Sequence, residues 1–207
     1  MRLALRAYRG MKIGLLGGSF DPAHLGHTHV AETARARLGL DYVWWLVSPQ
    51  NPLKPASTPL EGRLASAKSV AKGRGMIVTD IETILHTGFT IDTLKALKKR
   101  FPGVFFVWLM GEDNLAGFEQ WRGWQDIARS IPLCVVSRPG AGPRARLGRL
   151  AKRFPNARKS LDNARVCPRS KPPVWVYIST RWNPLSSTRL RANGAGLPHA
   201  TPLAREG

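Results

Sequence analysis

The chain has little cysteine and no long hydrophobic run. Its two cysteines, Cys134 and Cys167, are 33 positions apart, and neither belongs to a C-x-x-C pair or a Cys/His cluster. Neither a disulfide framework nor a structural zinc site is indicated, and we expect both thiols to be reduced. No apolar run approaches the roughly 20 residues that a membrane helix needs, and residues 1–10 lack the apolar region of a signal peptide. The sequence therefore predicts a cytoplasmic protein with no membrane contact.

Acidic residues are scarce. The chain has 13 Asp and Glu against 32 Lys and Arg, a formal net charge of +19 at pH 7. The excess is concentrated between residues 140 and 191, where 13 Lys and Arg accompany one acid, Asp162. Three interpretations remain open: a solvated basic face, attraction of polyanionic nucleotides towards a cleft, and dedicated nucleic-acid binding. We expect no specific nucleic-acid partner.

Two common nucleotide-binding motifs are missing. The sequence contains neither a Walker A motif nor G-x-G-x-x-G, so kinase and dehydrogenase functions have no support. The histidines also lack Cys or carboxylate neighbours at metal-ligand spacing, and we expect no metal bound by protein side chains alone.

Strand and helix patterns alternate along the chain, which indicates an α/β fold. Its length suits one domain, expected at residues 11–194, with a disordered extension at 1–10 and a flexible tail at 195–207. This order predicts a Rossmann-like, doubly wound parallel sheet with helices on both faces and ligands beyond the carboxyl ends of the strands. Residues 155–173 have no clear periodicity and are expected to be mobile or an insertion. Strands are predicted at 12–16, 42–47, 76–81, 104–110, 133–136 and 174–178, and helices at 26–38, from 58 with Thr58 as N-cap, from 91, at 143–154 and at 186–193.

A glycine turn links the first strand to the first helix and is the strongest candidate for phosphate binding. Without a Cβ at Gly17 and Gly18, a phosphate can approach the backbone of the turn that continues through Ser19 and Phe20. His24 and His27 are three residues apart, so both imidazoles fall on one face of the first helical turn and can meet the same anion. His29 points elsewhere on the helix, and we expect a structural role for it.

The stretch Ser186-Ser187-Thr188 precedes a short helix near the end of the chain. One of the three hydroxyls is expected to cap that helix. Spare hydroxyls at a helix N-terminus also form an anion site, and Arg191 adds charge one turn along. Arg189 remains open between a ligand contact and a solvated side chain.

These residues resemble a nucleotidyltransferase superfamily with the signatures H-x-G-H and I-S-S-T-x-x-R. The first occurs here as His24-Leu25-Gly26-His27, and the second as residues 185–191 with Leu185 in place of Ile. The segment G-G-S-F-D-P-A-H-L-G-H is most similar to bacterial nicotinate-nucleotide adenylyltransferases. The resemblance covers residues 11–194.

The resemblance implies roles for several further residues. Lys54, in a proline-rich loop that matches N-P-P-H-K except for Leu53, would contact the triphosphate. Asp113 lies in G-E-D-N-L, which resembles G-x-D-x-L, and either supports nucleotide binding or caps a helix. Trp121 aligns with the tryptophan that stacks on the nicotinate ring, whereas Trp124 is better explained as core. The backbone of the loop formed by Thr87, Gly88 and Phe89 would receive the pyridine carboxylate.

The reaction implied by this resemblance is ATP plus nicotinate mononucleotide giving deamido-NAD and pyrophosphate. Mg²⁺ would be held mainly by phosphates and water. His24, His27, Lys54 and Arg191 would be the catalytic residues, and Ser187 and Thr188 would bind phosphate. The alternatives are a pantetheine-phosphate adenylyltransferase or cytidylyltransferase of the same superfamily, and a non-enzymatic RNA-binding protein that uses the basic region.

Overall fold

The protein is built on a seven-stranded parallel sheet with helices on both faces. A computed structural model describes residues 5, 7–49, 58–137 and 148–179. The strand order is β3-β2-β1-β4-β5-β7-β6, and every neighbouring pair is parallel. The predicted Rossmann-like, doubly wound architecture is confirmed. The strands are β1 Lys12–Gly18, β2 Tyr42–Val47, β3 Met76–Thr79, β4 Phe105–Gly111, β5 Leu133–Val136, β6 Arg158–Lys159 and β7 Trp175–Ile178.

Seven α-helices and three 3₁₀ helices lie in the described ranges. The α-helices are α1 Leu25–Leu38, α2 Leu60–Val70, α3 Ile81–Ile84, α4 Thr90–Arg100, α5 Glu112–Ala116, α6 Trp124–Ser130 and α7 Arg149–Arg153. The 3₁₀ helices are Phe118–Gln120, Pro155–Ala157 and Leu161–Arg169. Within these ranges, no helix combines the length and the apolar composition needed to cross a membrane.

Each face of the sheet has its own hydrophobic core. One face packs against α4 and α6, whose Leu94 and Ile127 are buried there. The other packs against α1, α2 and the Leu161–Arg169 helix. A buried parallel sheet needs apolar residues on both faces, and β2, Y-V-W-W-L-V, supplies them without interruption.

The chain reverses direction across the sheet between β1 and β4. From β1 it runs outward through β2 to β3, and then crosses back to β4 on the other side of β1. The carboxyl ends of β1 and β4 therefore flank the point where ligands bind in sheets of this kind.

The structure differs from the predicted elements in several details, and the short helices α3, α5 and α6 were not predicted. The third strand ends at Thr79 instead of residue 81, because Ile81 already begins α3. Helix α2 begins at Leu60 with Pro59 at its N-cap and no side-chain cap, so the expected capping by Thr58 is wrong. Residues 155–173 contain regular structure, including two 3₁₀ helices and β6. The predicted boundaries of the domain, its extension and its tail stay predictions; at residue 10, the Gly10 N–H donates to the Gly103 carbonyl.

Both cysteines are free and buried, as expected for reduced thiols. Burial raises the pKa of Cys167 to about 12 and that of Cys134 well above its ordinary value. The two thiols are therefore protonated and unreactive near neutral pH.

Candidate active site

His24 and His27 lie together at the N-terminus of α1, immediately beyond β1. Their rings stack with a centroid distance of 3.9 Å, so the predicted placement on one face is confirmed. His24 is the N-cap, and its Nδ1 accepts the Gly26 N–H at 3.0 Å. His27 Nδ1 in turn accepts the His24 N–H at 3.2 Å. The two histidines form a reciprocal capping box, in which each side chain satisfies a backbone donor that the helix leaves open.

This arrangement fixes the position of the proton on each ring. A ring nitrogen that accepts a hydrogen bond carries no proton, so each neutral imidazole has its proton on Nε2. The Nδ1 atoms of His24 and His27 serve the helix, and the Nε2–H groups are the donors that each ring directs away from its capping bond. In each residue, Nδ1 therefore has a structural role in capping α1.

The two glycines at the end of β1 make room for aromatic rings. A Cβ at Gly17 would lie 2.6 Å from the Trp108 ring, and one at Gly18 would lie 3.3 Å from the Phe20 ring. The missing Cβ atoms therefore serve packing, in addition to the phosphate approach, which stays a prediction. Phe20 has φ of 51°, a left-handed conformation that is unfavourable for a side chain with a Cβ. Its ring is 1% exposed and contacts His27 at 5.0 Å, so burial of the ring offsets that cost.

A buried arginine beneath the turn was not identified from the sequence. Arg63 of α2 is 2% exposed and donates hydrogen bonds to four backbone carbonyls of the surrounding loops. Burial lowers the pKa of its guanidinium, and the nearby Asp21 carboxylate opposes that shift. No sequence signal separated Arg63 from the other basic residues of the chain. The accepting carbonyls are those of Ser19, Ser48, Pro49 and Thr58.

The two segments assigned to the nicotinate ring come together on the opposite face of the sheet. The Arg122 guanidinium lies 4.5 Å above the Phe89 ring, which joins the loop before α4 to the segment that holds Trp121. The Trp121 ring packs edge-to-face on Trp108 at 5.9 Å, and Trp108 also covers Gly17. Contacts therefore connect the end of β1 with the Trp121 segment, and that segment with the Thr87–Phe89 loop.

Within that loop, Thr87 is used internally. Its N–H donates to the Glu82 carbonyl at 2.9 Å, and its hydroxyl lies 2.9 Å from that of Thr93. The N–H groups of Gly88 and Phe89 donate to no backbone acceptor among the described residues, and a Cβ at Gly88 would have no neighbour within 4 Å. Of the three predicted residues, Gly88 and Phe89 are thus the ones whose N–H groups take no part in the backbone hydrogen bonds of the described residues.

A buried carboxyl group, that of Glu82, is connected to the Thr87–Phe89 loop through Thr93. Glu82 is 7% exposed, and its Oε1 accepts the Thr93 hydroxyl at 2.9 Å. Burial raises the pKa of Glu82, and the hydrogen bond from Thr93 opposes part of that shift. The sequence did not indicate this group, because an acid in the first turn of a short helix such as α3 is ordinarily solvated.

The acids after β4 divide into one exposed and one buried. Asp113 is exposed in the first turn of α5, and a Cβ at Gly111 would collide with its Oδ1. The N-cap of α5 is Gly111, which has no side chain to cap the helix. Glu112 is buried, and its Oε1 accepts the Tyr177 hydroxyl at 2.8 Å.

Trp124 packs against the core through Phe118 and Phe154, which confirms the core interpretation.

No group of three or more His, Cys, Asp or Glu suited to a metal ion occurs in the described ranges. Four predicted site residues lie outside those ranges, namely Lys54, Ser187, Thr188 and Arg191.

Comparison with known proteins identifies the family. The family model described as cytidylyltransferase-like matches residues 15–193. A "Probable nicotinate-nucleotide adenylyltransferase" of Caulobacter sp. (strain K31) is 52% identical over 183 residues, which cover 87% of this chain and 97% of that relative. A protein of the same name from Cereibacter sphaeroides (strain ATCC 17025 / ATH 2.4.3) is 50% identical over 185 residues, 89% of this chain and 98% of the relative.

A solved structure shares the fold. It is the "Plasmodium falciparum nicotinic acid mononucleotide adenylyltransferase complexed with NaAD", with a TM-score of 0.65 and 16% identity over 88% of this chain and 83% of that one. The sequence relatives, together with the family model, show that the chain belongs to the nicotinate-nucleotide adenylyltransferase family of cytidylyltransferase-like proteins.

Proposed function

We propose that this chain transfers the adenylyl group of ATP to nicotinate mononucleotide, forming deamido-NAD and releasing pyrophosphate. The observation that carries the proposal is the reciprocal pair of His24 and His27 beyond β1, in a chain about half identical to named members of the family. In the reaction, a phosphate oxygen of the mononucleotide attacks the α-phosphorus of ATP. The bond from that phosphorus to the bridging oxygen breaks, and the electron pair leaves with pyrophosphate.

This reaction needs no protein nucleophile, because the attacking phosphate is already an anion. Catalysis consists of aligning the two substrates and stabilising the charge that spreads over the transferring group. The Nε2–H groups of His24 and His27 are suited to that task as donors on rings whose orientation the capping bonds fix. We assign Lys54 and Arg191 to the remaining charge, and Ser187 and Thr188 to phosphate binding.

Mg²⁺ enters as part of the substrate, bound to the phosphates of ATP. Mg²⁺ retains several waters and is usually held by one or two carboxylates together with substrate phosphates. The metal would lower the negative charge that the mononucleotide phosphate must approach. Because the reaction consumes ATP, we also propose that the protein acts in the cytoplasm, where ATP is available.

The nicotinate half would bind between Trp121 and the loop of Gly88 and Phe89. The indole provides a flat apolar surface for the pyridine ring, and the two N–H groups would receive its carboxylate. A carboxylate accepts at both oxygens, whereas an amide must turn its NH₂ towards one of the donors. That mismatch costs roughly 1–3 kcal/mol at a desolvated site, so we expect at least about tenfold discrimination against the amide.

Steady-state assays with ATP and a panel of acceptors test the proposal. We expect turnover with nicotinate mononucleotide, at least about tenfold lower kcat/KM with the nicotinamide analogue, and none with phosphopantetheine or with CTP as donor. Equal kcat/KM for acid and amide would contradict the acid-selective pocket and leave adenylyl transfer intact. Turnover with phosphopantetheine alone would contradict the substrate assignment.

A further inference from the structure

One face of α2 holds the turn between β1 and α1 at both ends. The Arg63 guanidinium donates to the Ser19 carbonyl at 3.1 Å, at the start of the turn. Three residues along the helix, the Ser66 hydroxyl accepts the Ala23 N–H at 2.9 Å, directly before the His24 N-cap. Residues three apart share a helix face, so both contacts belong to one contact surface. The part of the turn between them carries Phe20, whose ring contacts His27.

Arg63 also holds the chain where it leaves β2. Its guanidinium donates to the carbonyls of Ser48 and Pro49, the latter at 2.7 Å, and its Nε donates to that of Thr58 at 3.0 Å. One buried guanidinium therefore connects the turn after β1, the exit from β2 and the entry to α2. A planar group with five fixed donors is suited to this, whereas an ammonium with three donors at one point is not.

The chemistry of the partners is informative. All four of these acceptors are backbone carbonyls, which carry no full charge, and the charge of the Asp21 carboxylate favours the ionised guanidinium. A buried charge is costly unless its donors are satisfied, and a conformation of the loops that withdrew these carbonyls would leave donors of the guanidinium unsatisfied. The loops are thus held in the arrangement that surrounds the guanidinium.

We propose that Arg63 is a positioning residue for adenylyl transfer. It acts through the turn from Ser19 to Ala23 and fixes where the His24 and His27 rings stand relative to the transferring phosphate. The inference rests on the proposed function, because it assumes that the two histidines stabilise that phosphate. Displacing a catalytic group by about 1 Å costs on the order of 10²-fold in rate. Removal of the guanidinium should therefore reduce turnover by that order through the positions of the two imidazoles, although Arg63 itself does not contact the substrate.

The test compares Arg63→Met and Arg63→Lys with Lys68→Met, which removes an exposed cation from the same helix. Two readouts are taken on each variant: kcat, and the ¹⁵N signals of the His24 and His27 imidazoles in the protein without substrate. We expect Arg63→Met to reduce kcat by roughly 10²-fold and to shift both imidazole signals. Arg63→Lys should give a smaller loss in the same direction, and Lys68→Met should match the unmodified protein in both readouts.

Two results would overturn the proposal. One is kcat within twofold of Lys68→Met in a folded Arg63 variant. The other is a loss of kcat with the imidazole signals unchanged. If Arg63→Met does not fold, Arg63→Lys decides the question by the same criteria. The imidazole readout needs no substrate, so it also separates a failure of this inference from a failure of the proposed reaction.

Discussion

At the residue scale, we assign His24 two tasks, one for each ring nitrogen. Its Nδ1 caps α1 by accepting the Gly26 N–H, and its Nε2 carries the donor assigned to phosphate. Replacing His24 by asparagine would keep the capping task and remove the phosphate task. The Oδ1 of asparagine reaches the position of Nδ1 and is a strong N-cap acceptor, but the side chain ends short of the Nε2 position.

We therefore expect His24→Asn to keep the melting temperature close to that of the unmodified protein and to lower kcat by about 10²–10³-fold. His24→Ala should lose both functions, with a stability cost of about 1 kcal/mol from the missing cap. Thermal unfolding and steady-state kinetics measure the two effects, and His29→Asn in the same helix is the control. Normal turnover of His24→Asn would show that Nε2 contributes nothing.

At the element scale, sequence patterns located the strands whose apolar residues are continuous. The ranges predicted for β2 and β5 match the structure, because both strands are buried on two faces and are therefore apolar throughout. Two of the missed elements have a clear physical explanation. β6 is Arg158-Lys159, an edge strand without apolar residues. In the Leu161–Arg169 helix the buried Ala164 and Cys167 are three residues apart, the period of a 3₁₀ helix and not that of an α-helix.

The candidate site was predictable to a similar degree. The spacing of His24 and His27 was enough to place both rings on one face, because three residues are nearly one helical turn. The roles of Arg63 and Glu82 were not predictable, since they arise from burial. Burial of a charged residue depends on tertiary contacts that a local pattern does not contain.

The support beneath the Thr87–Phe89 loop gives a pH-dependent prediction. The pKa of Glu82 is raised above its ordinary value of 4.5 by burial, so the folded protein binds this proton more tightly than the unfolded chain does. The group then contributes most stability below pH 4.5, and that contribution is lost as the pH rises through the raised pKa.

Glu82→Gln keeps an acceptor for Thr93 and cannot ionise. We expect it to be more stable than the unmodified protein at pH 7 to 8, with the difference shrinking towards pH 4. Urea unfolding across that pH range measures the effect, and the exposed Glu61→Gln serves as the control. A stability difference for Glu82→Gln that does not change with pH would contradict the buried-carboxyl interpretation.

At the scale of the whole molecule, much of the positive charge is displayed by the segment from residue 148 to residue 171. Its basic residues are all exposed, and several of their guanidinium groups lie over aromatic rings, as Arg158 does over Trp175 at 5.4 Å. Such a surface attracts phosphates without reading a sequence. The exposed basic residues are Arg149, Lys152, Arg153, Arg158, Lys159, Arg165, Arg169 and Lys171.

We expect oligonucleotides to bind weakly and with a steep dependence on salt. Replacing Lys152, Lys159 and Lys171 by Gln should make the salt dependence less steep. The slope of the logarithm of the association constant against the logarithm of the salt concentration should fall in magnitude by up to about 0.9 for each phosphate that is no longer neutralised. The same change at three exposed lysines elsewhere should have a smaller effect, and fluorescence anisotropy at several salt concentrations compares the two. Tight, sequence-selective binding at physiological salt would favour the RNA-binding alternative. The control lysines are Lys68, Lys95 and Lys99.

The shortness of β6 has a consequence for how the molecule behaves among its own copies. An open sheet ends in a row of backbone donors and acceptors, to which another chain can add a strand. In the described part of the chain, β6 contributes only two residues to that row, and both carry exposed cationic side chains, Arg158 and Lys159. A polypeptide arriving at this side gains few hydrogen bonds and, if it is another copy, meets charge of its own sign. The shortness and the charge of β6 therefore both disfavour the addition of a strand from another copy at this strand.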